Sequence, residues 1–63
     1  MAMEWVRRNY GVPSRRGGKV EYSPDDTPVA GTITGTKGPY LRVRLEGAPR
    51  PVSLHPTWRL RYL

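Results

Sequence analysis

The chain has 63 residues, no cysteine, and 11 lysines and arginines against five acidic residues. A domain of about 60 residues buries only about 60% of its unfolded surface, so the chain forms one domain whose small core has neither disulfides nor thiolate-bound metals to reinforce it. No apolar run reaches the roughly 18 residues of a membrane span, and Met1–Tyr10 lacks the apolar stretch of a signal peptide. These features predict a soluble, cytoplasmic, basic protein whose surface attracts polyanions.

The first ten residues carry apolar side chains at helical spacing. Glu4 and Arg8 form a favourably oriented i,i+4 pair, and Gly11 stands where a helix would stop. A helix this short is marginal in isolation, so it must dock on the rest of the chain; an extended arm is the competing interpretation. The apolar residues that would dock it are Met3, Trp5, Val6 and Tyr10.

A basic connector follows this segment. Pro13 disfavours the helical conformation at Val12, and Ser14–Gly18 reads as a flexible stretch that contains Arg15 and Arg16. These two arginines are candidate phosphate contacts, with a solvated linker as the alternative interpretation.

The next segments predict a strand and a turn. Lys19–Tyr22 alternates, with Val20 and Tyr22 on the same side, and is the first predicted strand. Ser23–Pro28 has the composition of a turn and contains two of the five acidic residues.

A β-hairpin over Gly31–Leu45 organises the chain. Its first arm is rich in β-branched residues, its second arm alternates strictly, and Gly35–Pro39 between them contains two glycines and a proline, which predicts the reversal. The alternation places Leu41, Val43 and Leu45 on one face and Tyr40, Arg42 and Arg44 on the other.

Two more strands are predicted after the hairpin. Glu46–Pro51 is a second reversal, and Val52–His55 is a short strand with Val52 and Leu54 inward and Ser53 and His55 outward. Pro56 interrupts this pattern, so His55–Trp58 is predicted as a single 3₁₀ turn. Alternation then resumes, with Trp58, Leu60 and Tyr62 inward and Arg59 and Arg61 outward.

Five short alternating strands predict a closed, mostly β fold. An open sheet of this size leaves one face wet and two edges unpaired, whereas a small barrel buries the apolar faces against each other. We therefore expect residues 17–63 to form a five-stranded barrel, preceded by the helix or arm and connector of residues 1–16. The predicted core is Val20, Tyr22, Ile33, Leu41, Val43, Leu45, Leu54, Trp58, Leu60 and Tyr62.

The order of strand, long turn, hairpin, short strand, 3₁₀ turn and final strand resembles the SH3-like barrels, in which a 3₁₀ turn precedes the last strand. Within that group, Gly17–Tyr22, Gly31–Ile33 and Leu41–Leu45 resemble the KOW-type arrangement of a strand, a glycine-marked turn and a second strand. The resemblance covers Gly17–Leu63, and the acidic insert Ser23–Pro28 is longer than the motif normally allows.

The two ends of the chain carry a second resemblance. Val6–Pro13 and His55–Leu63 are similar to segments of small uncharacterised proteins encoded by bacteriophages and prophages. This similarity implies a compact accessory protein of a bacterial cytoplasm and transfers no catalytic residue.

The sequence lacks the groups that catalysis needs. It holds one histidine, His55, no cysteine, and no serine beside a credible base. We therefore expect no enzyme activity, no metal site and no cofactor, and an ordinary turn residue at His55.

The remaining signal is a surface rich in arginine. An arginine strip with an aromatic residue at its end is typical of platforms on which nucleotides stack while cations hold phosphates. The sequence thus predicts a non-catalytic module that binds DNA or RNA with weak sequence preference. An acidic surface of a host protein is the alternative partner, a structural or assembly role is the third, and solvated strand faces are the plainest interpretation. The candidate nucleic-acid contacts are Arg15, Arg16, Tyr40, Arg42, Arg44, Arg59 and Arg61.

Overall fold

The computed structural model describes residues 3–63, which form one short helix and five β-strands. The mostly β architecture and the N-terminal helix are confirmed, whereas Met1 and Ala2 lie outside the described residues. No helix within residues 3–63 is long and apolar enough to cross a membrane. The elements are α1 (Met3–Tyr10), β1 (Lys19–Tyr22), β2 (Val29–Lys37), β3 (Tyr40–Leu45), β4 (Val52–Leu54) and β5 (Leu60–Tyr62).

The five strands form one open antiparallel sheet in the order β4-β3-β2-β1-β5. The first four strands are neighbours in chain order, and β5 returns beside β1, where Val20 lies opposite Tyr62. The sheet edges are therefore β4 and β5, which have three residues each. Such short edge strands expose few unpaired backbone groups, which limits their pairing with other chains.

The central hairpin is confirmed, but its turn is tighter than the sequence predicted. β2 continues to Lys37, so the chain reverses over Gly38 and Pro39 rather than over Gly35–Pro39. Gly38 adopts a φ of 58°, a left-handed conformation that glycine enters without steric cost.

A β-bulge interrupts β2 between Ile33 and Gly35. The extra residue is Thr34, whose hydroxyl donates to the carbonyl oxygen of Arg42 at 3.2 Å. Side chains alternate between the two faces of a strand, so one extra residue moves each later side chain of that strand to the opposite face. Lys37 is thereby turned to the face opposite the core.

Six apolar side chains are buried in a single cluster. One of them, Val6, belongs to α1 and is fully shielded from solvent, so the helix docks on the sheet as predicted. The buried set is Val6, Val20, Ile33, Leu41, Val43 and Leu54. Around it, the predicted core residues Tyr22, Leu45, Leu60 and Tyr62 are only partly buried.

Two predicted inward residues are exposed. Trp58, predicted in the core, is 55% exposed, because β5 begins only at Leu60 and Arg59 breaks the alternation with a left-handed φ of 52°. The Trp58 ring instead lies 6.4 Å from that of Tyr22 and 5.2 Å from the Arg59 guanidinium. Val52 is 37% exposed because it starts β4, the outermost strand on its side of the sheet, where nothing further covers it.

Two hydrogen bonds hold the His55–Trp58 turn that precedes β5. The Trp58 N–H donates to the His55 carbonyl oxygen at 3.3 Å, and the Tyr62 hydroxyl donates to the carbonyl oxygen of Pro56 at 2.8 Å. Burial raises the pKa of Tyr62 to about 12, so this hydroxyl remains a donor well into the alkaline range. The last strand is thus tied to the turn that precedes it.

The first prediction concerns Gly31, where β2 and β3 approach closely. A Cβ at this position would lie 2.8 Å from Val43 Cγ1 and 2.9 Å from Leu45 Cδ2, so Gly31→Ala should cost about 1–3 kcal/mol through overpacking. Thermal unfolding measures this loss of stability, since a change of about 1 kcal/mol shifts the midpoint of so small a domain by about 4–8 °C.

Gly35→Ala is the matched control in the same strand. No atom lies within 4 Å of its added Cβ, so its midpoint should stay near that of the wild type. Equal losses in the two variants would show that strand propensity, not the close approach, decides the effect.

The second prediction compares Val6 with Trp58. Val6→Ala removes fully buried carbons and should cost about 2 kcal/mol, although alanine is the better helix former. Trp58→Ala should cost about 1 kcal/mol or less, since most of this ring is already in contact with water. Thermal midpoints check both values, and a larger loss for Trp58→Ala would contradict the exposed placement of the ring.

Candidate functional site

The outward side chains of β1, β2 and β3 form a surface that carries three of the seven predicted binding residues. In cross-strand register, Lys19 of β1, Thr32 of β2 and Arg44 of β3 form one row. Further along the hairpin, Arg42 lies opposite Gly35 and Ser53, and Tyr40 lies opposite Lys37. We call this surface the basic face; it consists of Lys19, Thr32, Lys37, Tyr40, Arg42 and Arg44.

In the described part of the chain, the cations of the basic face have no carboxylate partner. β2 and β3 contain no acidic residue, and the ion pairs within residues 3–63 are Arg8–Glu4 at 3.1 Å and Arg61–Glu21 at 3.8 Å. Like charges that are not neutralised locally add to a positive potential, which concentrates anions near the surface. The basic face therefore carries a local excess of positive charge that attracts polyanions.

Tyr40 ends the basic face and is held there by other rings. It is 46% exposed, and its centroid lies 6.1 Å from that of His55 in an edge-to-face contact. The His55 ring also meets Tyr10 at 5.1 Å, and its Nδ1 accepts a hydrogen bond from the Thr57 N–H at 3.1 Å. These contacts fix the position of Tyr40 while leaving part of its ring in solvent.

The other predicted contacts are not continuous with this surface. Arg59 and Arg61 flank Leu60 at the sheet edge formed by β5, and β1 and β2 lie between that edge and β3. Arg61 is engaged with Glu21, and Arg59 packs on Trp58. The two arginine strips that the sequence predicted thus stand on opposite sides of the sheet centre and form no single groove.

Arg15 and Arg16 lie beside β2. The Gly17 N–H donates to the Ile33 carbonyl oxygen at 2.7 Å, and the Ile33 N–H donates to the Gly18 carbonyl oxygen at 2.9 Å. At the other end of the connector, Arg7 Nη1 donates to the carbonyl oxygen of Ser14 at 2.9 Å. Both exposed arginines are therefore carried on backbone that is hydrogen-bonded to the helix and to the sheet.

Sequence reasoning missed two lysines of the basic face. Lys19 joins Arg44 only through the register of three strands, which alternation within one strand does not specify. Lys37 faces outward only because of the bulge, for which Gly35 was the available signal.

No family model, curated protein or solved structure matches this chain. Within residues 3–63, no three histidine, aspartate or glutamate side chains lie close enough together to hold a metal ion. The basic face offers cations that have no carboxylate partner among residues 3–63, two hydroxyl groups and one aromatic ring whose position is fixed.

Proposed function

We propose that this protein is a non-catalytic module that binds nucleic acid with weak sequence preference, acting in the cytoplasm. The observation that carries the proposal is the basic face. Its cations, Lys19, Lys37, Arg42 and Arg44, have no acidic partner among residues 3–63, and Tyr40 is exposed beside them. Guanidinium groups bind phosphate bidentately, and aromatic rings accept any base by stacking. Neither interaction reads sequence, which accounts for the weak preference.

Single strands fit this surface better than a duplex. Their bases are free to leave the stack and lie against a side chain, whereas duplex recognition uses elements that enter a groove. The basic face offers cations along β3 and a ring at its end, the combination found on single-strand platforms.

We further propose that the sheet belongs to the SH3-like barrels, of the KOW type, and that the chain is a phage or prophage accessory protein. The return of β5 to β1 and the single turn closed at His55 support the barrel. β2 supports it too, because it pairs with β1 through its first half and with β3 up to Lys37, with a bulge between that favours bending. The likeness to phage proteins rests on the sequence of the two chain ends.

The third prediction tests phosphate contacts. The logarithm of the binding constant should fall linearly with the logarithm of salt concentration, by about 0.7 per phosphate contacted on single strands and about 0.9 on duplex. Arg42→Ala with Arg44→Ala should flatten this slope by about 1–2 units. Fluorescence anisotropy with labelled oligonucleotides over a salt series measures the slope.

The matched control removes two positive charges elsewhere. Arg8→Ala with Arg61→Ala takes them from sites where each guanidinium already faces a carboxylate, so the slope should stay close to that of the wild type. Equal flattening by the two double variants would remove the basic face as the contact surface. If the wild type binds neither DNA nor RNA at about 50 mM salt, the proposal fails and an acidic protein surface becomes the partner to test.

The fourth prediction tests stacking by Tyr40. Tyr40→Ala should weaken single-strand binding by about 1–3 kcal/mol at every salt concentration, since stacking carries little salt dependence. Tyr40→Phe keeps the ring and should bind like the wild type. A loss that disappears at high salt, or an equal loss in both variants, would exclude stacking on this ring.

A further inference from the structure

A depression adjoins the Arg44 end of the basic face. It encloses about 570 Å³, within the range of about 300–1,000 Å³ that small-molecule sites occupy. Lys19, Thr32, Arg44 and Glu46 supply its charged and hydroxyl groups, and Leu45 and Ala48 supply apolar surface.

One side of the depression is suited to a phosphate. Lys19 and Arg44 flank Thr32 on adjacent strands, and strands two apart in a sheet are separated by only about 10 Å, which both long side chains can span. Lys19 Nζ donates to Thr32 Oγ1 at 2.9 Å, so the threonine O–H remains available as a donor. Two cations and one hydroxyl donor thus converge on the same place.

The other side of the depression carries a carboxylate. Glu46 is exposed and has no ion-pair partner among residues 3–63, and its backbone N–H donates to the Ala30 carbonyl oxygen at 2.9 Å, which fixes the turn against β2. A carboxylate repels phosphate but accepts hydrogen bonds from hydroxyl groups. A ligand that satisfies both sides presents an anion to Lys19 and Arg44 and a hydroxyl to Glu46.

A ribonucleotide unit inside a strand has this combination, and a deoxyribonucleotide unit inside a strand lacks it, because the 3′- and 5′-oxygens are esterified in both and only RNA keeps a sugar hydroxyl, at the 2′ position. We propose that this depression binds one ribonucleotide unit of an RNA strand, with its phosphate between Lys19 and Arg44 and its 2′-hydroxyl donating to Glu46. This inference rests on the proposed nucleic-acid binding and makes the protein an RNA binder. The strand continues from the depression along the basic face past Arg42.

The fifth prediction compares oligouridylate with oligodeoxyuridylate of equal length, which differ only in the 2′-hydroxyl. The wild type should bind the RNA about 10-fold more tightly, as expected for one hydrogen bond to a charged group. Glu46→Ala removes a negative charge and the hydrogen-bond acceptor together, so it should bind the DNA more tightly while the ratio of RNA to DNA affinity falls to about one.

Glu4→Ala is the matched control, because it removes one acidic charge from α1, remote from the depression. Its affinities rise slightly for both strands, and its RNA to DNA ratio stays that of the wild type. Free uridine monophosphate is the third probe and should bind far more weakly than the oligomer, since it lacks the contacts along the basic face. Equal affinity of the monophosphate and the oligomer would overturn the assignment of the site to a strand.

The outcomes separate this inference from the proposed function. If the wild type binds oligouridylate and oligodeoxyuridylate equally, recognition by Glu46 is overturned while nucleic-acid binding stands. If Glu46→Ala keeps the RNA preference, the 2′-hydroxyl is read elsewhere and the inference is again overturned. If neither oligomer binds, the proposed function itself fails.

Discussion

Six apolar side chains fill the buried cluster, and Val6 of α1 is the one that the helix adds to the five from the strands. A chain of 63 residues has few apolar residues with which to build a core. The alternation of the strands therefore directs the apolar side chains of the sheet to one face, where they pack in this cluster. The same alternation sends every second residue of β3 to solvent. The surface chemistry of the protein is therefore set by the packing of its core, because residues between buried positions have only one side on which to lie.

The charges on that outer surface are distributed unevenly. Arg8 and Arg61 each pair with a carboxylate, whereas the cations of β2 and β3 pair with none among residues 3–63. Exposed ion pairs contribute little to stability, so the unpaired arrangement on the hairpin costs the fold little. It leaves a positive surface close to Glu46, a carboxylate with no ion-pair partner among residues 3–63.

Much of this arrangement could be predicted from the sequence, and the exceptions have local causes. Alternation identified β3 and the outward positions of Arg42 and Arg44, because a period of two is unambiguous over six residues. Alternation gave the wrong face for Trp58, because Arg59 adopts a left-handed backbone conformation. Arginine rarely adopts this conformation, so the sequence gives no indication of it. The register between strands is not encoded within any single strand. The placement of Lys19 and Arg44 on either side of Thr32 could therefore be seen only in the folded sheet.

The bulge at Thr34 makes the length of β2 a determinant of its surface. Deletion of Thr34 would remove the extra residue and leave Gly35, Thr36 and Lys37 on their present faces, whereas insertion of one residue between Gly35 and Lys37 would turn the Lys37 ammonium group towards the core. A deletion in the Glu46–Pro51 loop leaves the phase of β2 and β3 unchanged. The bulge is therefore the one point of β2 at which the strand can lose a residue without moving Lys37 to the other face, and related chains that use the same face should vary in length at Thr34 rather than between Gly35 and Tyr40.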